Sequence, residues 1–226
     1  TMQLWAELGL TDSGIKLMTS PLTAEIVNSA AFDEFESAFK SVANELRKNG
    51  SENYLSNLDN FQNGTVPVYM QGVWGAGSFT EGKPAFEDIK PGLYPGNVVL
   101  VCAGGGLSIS KQISDAKKEL AVEFIKYMVS EEVQAKIFKA VQAMPCNPNV
   151  DFDAACEGVT DPAVLYLRDA CKLARADTTK EVPGGVKWGA DIERAINDAL
   201  TGCMNENYII DDQWTELKTT ILGLLG

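Results

Sequence analysis

Histidine is absent from this 226-residue sequence. That excludes Ser-His and Cys-His nucleophile pairs, histidine general bases and histidine metal ligands. The five cysteines, Cys102, Cys146, Cys156, Cys171 and Cys203, form no C-x-x-C, so zinc ribbons and thioredoxin-like redox motifs are unsupported. Their odd number leaves at least one free thiol unless a second chain supplies a partner. Small buried hydrophobes are the simplest reading, and a disulfide among the last four stays open if the compartment is oxidising. No apolar run approaches the ~20 residues that cross a bilayer. Nor does Thr1-Met2-Gln3-Leu4-Trp5 show the basic start and long apolar stretch of a secretory signal. On that reading the chain is either cytosolic or has had a targeting segment removed. Bases are also few, 19 against 31 acids, for a formal charge of −12 and a pI near 4.5. Such a surface repels phosphates, which argues against nucleic acid and against anionic membrane as partners. Internal repeats and low-complexity tracts are missing too.

What is present is an ordinary globular composition, 45% hydrophobic and 22% charged, at a length fitting one large domain or two small ones. Phe32, Phe35, Phe39, Val42 and Leu46 recur at three- and four-residue steps and predict a helix, capped by Asn28 or Ser29 and ended by Gly50. Val66, Val68 and Met70 alternate with Thr65, Pro67 and Tyr69, predicting a short strand that Pro67 confines to an edge or makes irregular. A Gly- and Pro-rich connection over 72–96 carries Trp74. Residues 98–101 form an apolar run of the kind buried on both sheet faces, and it leads into Gly104, Gly105 and Gly106.

Next comes a helix with Ala116, Leu120, Phe124 and Met128 on its inner face. Ser130 caps another, with Glu131 and Glu132 in its positive first turn and Val133, Ile137 and Val141 inward. Asp161-Pro162 predicts a helix start, a cap followed by proline at the first helical position. Pro183-Gly184-Gly185 breaks the chain before Trp188. A helix over 191–200 shows Ile192, Ala195, Ile196 and Ala199, and a closing one shows Trp214, Leu217, Ile221 and Leu224. The sum is a helix-rich α/β chain with few strands.

Candidate chemistry is sparse. The glycine run after the strand is neither G-x-G-x-x-G nor G-x-x-x-x-G-K-[ST], and Lys111 lies too far along to serve as a P-loop lysine. Its glycines do let backbone approach a ligand closely. The carboxylates mostly sit on helix faces opposite the apolar stripes, as solvated surface, and no glycosidase pair stands out. Ser108 and Ser110 have no base to activate them. Trp74 lies among Gly72, Gly75 and Gly77, which leave an indole face open. Such faces stack well on the C–H side of sugar rings. Trp188, between Gly185 and Gly189, reads equally well as a cleft or a core residue.

Two stretches carry a resemblance. The first, from Phe61 through Gly64, Val66, Gly72 and Trp74, resembles the F-x-x-G-x-V-A-M-x-x-x-G-x-W signature of family 1 extracellular solute-binding proteins, the maltodextrin-binding type serving carbohydrate ABC importers. The second, Gly104-Gly105-Gly106-Leu107-Ser108-Ile109-Ser110-Lys111, is similar to their G-G-x-x-L-A-I-S-K segment. It runs into Ala121-Val122-Glu123-Phe124-Ile125-Lys126-Tyr127-Met128-Val129-Ser130-Glu131-Glu132-Val133-Gln134-Ala135-Lys136, close to A-W-E-F-I-K-F-L-T-S-E-E-V-Q-A-K. Met144-Pro145-Cys146-Asn147 stands where such proteins often have L-P-V-N. The match spans about residue 32 to the C-terminus, and Pro67-Val68 departs from the usual Ala-Met.

The resemblance implies an α/β, type II periplasmic-binding-protein-like, two-lobed fold, helix-rich and incomplete at the N-terminus. Residues 1–95 and 147–226 would form the C-terminal lobe, and 96–146 part of the N-terminal lobe. It also implies a non-enzymatic receptor for a mono- or oligosaccharide that delivers its ligand to ABC permease subunits. Such a receptor works at the extracellular or periplasmic face of the cytoplasmic membrane and is lipid-anchored in the full-length protein. Trp74 and Gly72 would line the cleft on one side, Gly104, Gly105 and Gly106 the opposite wall, and Trp188 would add a second stacking face. No cofactor, metal, nucleic acid or transmembrane segment is expected. The alternatives are a carboxylate-based carbohydrate-active enzyme and a truncated scaffold that no longer binds ligand.

Overall fold

A computed structural model of the chain describes residues 1–49, 54–80, 89–102, 106–204 and 207–226. In chain order these form α1 (Met2–Leu8), α2 (Asp12–Thr19), α3 (Ala24–Val27), a 3-10 turn (Ala30–Phe32), α4 (Asp33–Asn49) and α5 (Tyr54–Gln62). A second 3-10 turn (Val73–Gly75) leads into α6 (Ala76–Thr80), then β1 (Val98–Val101), α7 (Asp115–Met128), α8 (Glu131–Val141), α9 (Phe152–Ala155) and α10 (Pro162–Ala174). The chain ends with β2 (Lys180–Pro183), α11 (Ala190–Gly202) and α12 (Ile210–Leu225). It divides into two compact units, Thr1–Ser56 with Leu93–Cys102 and Thr178–Gly226, and Asn57–Gly92 with Ala103–Asp177.

Local signals set many helix starts. Thr11 and Thr23 accept the N–H groups of Gly14 and Ile26 at the starts of α2 and α3. Ser130 caps α8 through Val133 N, and Asp161 caps α10 through Ala163 N at 2.8 Å with Pro162 next. Each such cap is worth about 1 kcal/mol.

The first unit is organised around aromatic rings. Phe32, Phe35 and Phe39, one row at the start of the predicted stripe, meet Trp5 of α1, Trp188 and Trp214 of α12 in one buried cluster. β1 and β2 pair in parallel, Val98 opposite Lys180 and Val101 opposite Pro183. A Cβ at Gly9 would overlap the Val182 side chain, so the end of α1 lies directly against β2. Burial along β1 falls from Val98 at 0% exposed to Val101 at 50%. The run is therefore not buried on both faces as expected, because this two-stranded sheet covers little beyond its first residue.

The second unit has two smaller cores. Phe138 of α8 packs with Val150, Phe152, Cys156 and, on α10, Val164, Leu167 and Cys171. Phe61, Ala76 and Ala163 form the other. Buried Gln134 ties α8 to its flanks, donating to Met128 O at 2.8 Å and accepting from Cys146 N at 2.9 Å. Arg175 donates to the carbonyls of Pro145, Asn147 and Pro148 while its guanidinium lies over the Phe152 ring.

Further expectations change. Residues 66–70 make no strand: Pro67 has no N–H to pair, and Val68 and Met70 are 71% and 54% exposed. The α7 face expected inward is outward, with no α7 residue buried. Residues 93–102 fall in the first unit and residues 103–177 in the second. Val98 belongs to the first unit's core, drawn there by β2, whereas Phe138 of α8 belongs to the second's. Gly50, expected to end α4, lies outside the described residues.

Candidate functional site

Trp74 sits in the 3-10 turn closed by Gly75 N donating to Gly72 O at 3.0 Å. Val73 anchors that turn against the Phe138 core, and Gly75 and Ala76 are buried, so the backbone faces inward while the indole stays 58% exposed. A Cβ on Gly72 would overlap the six-membered ring of Trp74. The indole thus lies back over Gly72 with one side covered by its own chain. Only glycine allows that approach.

Polar and aromatic neighbours steady the same stretch. Gly72 N donates to Gln71 Oε1 at 2.9 Å, and Gln71 Nε2 donates to the Tyr69 hydroxyl at 3.4 Å. Tyr69 stacks on Phe61 with ring centres 5.8 Å apart. Downstream, Gly77 N donates to Gln142 Oε1 at 3.0 Å, and Gln62 Nε2 donates to Ser78 O at 2.6 Å. α6 packs on α10, where burial pushes the Tyr166 hydroxyl above its ordinary value. Neither Gln62 nor Gln142 carries a motif, and a polar residue without one gives no sequence signal of its partner.

Gly72 and Trp74 lie against one another in this turn. Gly106 belongs to the same unit, exposed and with open space where a side chain would be, while Gly104 and Gly105 lie outside the described residues. Trp188 is corrected. It is 6% exposed in the first unit's core, edge-on to Phe35 with centroids 5.1 Å apart, and its indole N–H donates to Leu17 O. Its flanking glycines do not open a face because Phe32, Phe35 and Trp5 close around it.

A glycosidase general acid needs a carboxyl raised above its ordinary value. Glu132 and Asp153 are shifted the other way, held down chiefly by hydrogen bonds from Lys136 and Lys172. Among the described residues no group of three His, Cys, Asp or Glu side chains is placed to hold a metal ion, and no helix is long and apolar enough to cross a membrane.

Residues 6–164 match the model of the bacterial extracellular solute-binding protein family, and the chain belongs to that family. Among solved structures it is similar to a Streptococcus pneumoniae solute-binding protein determined in complex with the blood group A-trisaccharide. The two are 33% identical, with a TM-score of 0.79, over 98% of this chain and 56% of that one. The chain thus spans little more than half the length of that protein. Comparison with curated protein sequences gives no match.

Proposed function

We propose that the chain is part of the extracellular substrate-binding component of a carbohydrate ABC transporter. In this reading the whole protein has the two-lobed type II fold and binds a mono- or oligosaccharide between its lobes. It delivers that sugar to the permease subunits from the outer face of the cytoplasmic membrane, held there by a lipid anchor. The observation that carries the sugar reading is Trp74: an exposed indole with one side seated on Gly72 and the other open to solvent. Stacking a sugar ring on it removes apolar area from water, and at ~25 cal/mol per Å² a well-covered indole contributes on the order of 2 kcal/mol. The trisaccharide held by the pneumococcal relative supports an oligosaccharide as ligand.

The test is calorimetric titration of the 226-residue chain with a panel of neutral oligosaccharides that includes the blood group A-trisaccharide. Binding that weakens roughly tenfold or more in Trp74→Ala supports the reading. A panel member that binds Trp74→Ala as tightly as wild type removes Trp74 from the site. No binding by wild type across the panel favours the alternative scaffold that retains the fold but not the ligand.

A further inference from the structure

The backbone at Gln142 is unusual. It closes α8 with φ 50° and ψ 45°, the left-handed conformation that helices commonly reach with glycine at their ends. A residue with a Cβ pays steric strain there, and such strain persists only where its surroundings hold it in place. The structure shows what holds it. The Gln142 side chain reaches across 65 positions of sequence, and its Oε1 accepts the Gly77 N–H at 3.0 Å in a partly buried setting. Glycine would relieve the strain but remove that hydrogen bond.

Gly77 is the second residue of α6, and α6 continues without interruption from the 3-10 turn that carries Trp74. The amides of Gly75 and Ala76 already donate to Gly72 O and Val73 O. The next N–H, that of Gly77, meets a side-chain acceptor from the end of α8. With Gln62 bonded to Ser78 O on the following residue, the turn is pinned at its exit from both α5 and α8.

We infer that Gln142 is a positioning residue for the Trp74 platform: the left-handed end of α8 aims its amide oxygen at Gly77 and so fixes the turn that presents the indole. The inference rests on the reading of Trp74 as the sugar-stacking residue. Gln142 touches no ligand in this account and acts through the turn.

Trp74 can be watched directly. Trp5, Trp188 and Trp214 are 4%, 6% and 5% exposed against 58% for Trp74, so acrylamide quenching of fluorescence in the whole chain reports chiefly on Trp74. Trp74→Phe supplies the background from the other three. Gln142→Gly removes the acceptor together with the strain, so the melting temperature should hold or rise, where a purely structural contact would lower it. Quenching of Trp74 should change, and affinity for whichever oligosaccharide binds wild type should fall about fivefold, the equivalent of one neutral hydrogen bond. Gln142→Glu keeps an acceptor oxygen in place and should restore wild-type quenching. A Gln142→Gly chain with wild-type quenching and wild-type affinity overturns the inference. A Trp74→Ala chain that binds as wild type overturns instead the platform reading on which it rests.

Discussion

The indole Nε1 of Trp188 donates a hydrogen bond to the carbonyl oxygen of Leu17, 3.1 Å away and 171 positions earlier in the chain. That contact joins the segment after β2 to the end of α2, next to the Phe32 and Phe35 rings. Backbone approaching the same neighbourhood is tied as well, since Lys187 N donates to Met18 O at 2.9 Å. Leu17 O also accepts the Ser20 N–H at 3.4 Å, so losing the indole donor costs about one net hydrogen bond rather than a full desolvation penalty. Trp188→Phe should therefore destabilise the chain by about 0.5–1.5 kcal/mol even though a ring still fills the space. Trp188→Ala also leaves a cavity and should cost about 3–5 kcal/mol. Urea denaturation followed by far-UV circular dichroism measures both. Equal midpoints for wild type and Trp188→Ala would mean the indole is not a core residue.

Thiol reactivity should divide the cysteines two and three. Cys102 and Cys146 are exposed, whereas Cys156, Cys171 and Cys203 are buried. Burial pushes the Cys171 thiol up to about 12 and raises Cys156 and Cys203 as well. The thiolate is the reactive form, so at pH 8 the buried three are both shielded and protonated. Ellman's reagent on the reduced, native chain should titrate two thiols quickly and all five only in denaturant. Rapid reaction of a third native thiol would contradict the packing of the Phe138 or Trp214 cores that enclose these side chains.

Asp153 gives the stability curve an acid-side slope. Lys172 Nζ donates to it at 2.6 Å and Arg168 Nε lies 3.9 Å away. The Lys172 hydrogen bond and the two positive charges hold its carboxyl below the ordinary value of 3.8. A carboxyl whose folded value is depressed contributes stability above its unfolded value. That contribution disappears as pH falls through the folded value. Asp153→Asn should flatten the fall in melting temperature as pH drops below about 4, with little change at pH 7, since exposed pairs are weak. An Asn variant that follows the wild-type acid slope throughout would show that the ion pair does not form in solution.

Local chemistry accounts for most of what could be read from the chain. The caps at Ser130 and Asp161 are legible because each is settled within three residues, and the stripe at Phe32, Phe35 and Phe39 because its period is helical. Trp74's exposure follows from the glycines around it. What escaped depends on partners far along the chain. β2 offers only Val182 as a buried residue and ends in Pro183, a pattern too short to read as the mate of β1. α1 buries four of seven residues but runs for barely two turns, too few for a period to show. Trp188 has glycine neighbours like Trp74, yet Phe32 and Phe35, more than 150 positions earlier, decide its surroundings. Gln134 and Gln142 look like ordinary surface glutamines until the carbonyls and amides they meet are known.

α7 shows where a correct period still points the wrong way. Ala116, Leu120, Phe124 and Met128 do form one row, but the half-buried residues are Lys118, Ala121, Ile125 and Met128. At 3.6 residues per turn the inward direction is displaced from the expected row by up to about 100°. Leu120, Phe124 and Tyr127 are left 72%, 54% and 58% exposed, at helical steps of four and three. Contact with α8 sets the orientation, and the sequence cannot reveal which of two adjacent apolar rows that contact selects. The two rows should therefore respond differently to substitution. Phe124→Ser removes an exposed ring and should change stability by no more than about 0.5 kcal/mol. Phe138→Ala, on the fully buried side of α8, should cost about 3–5 kcal/mol. Binding of the dye ANS to the native chain should fall in Leu120→Gln/Phe124→Ser, because the two side chains form part of an exposed apolar stripe. Urea midpoints of the single variants decide the matter: if Phe124→Ser destabilises as much as Phe138→Ala, the stripe is covered in solution and the orientation of α7 is not the one described here.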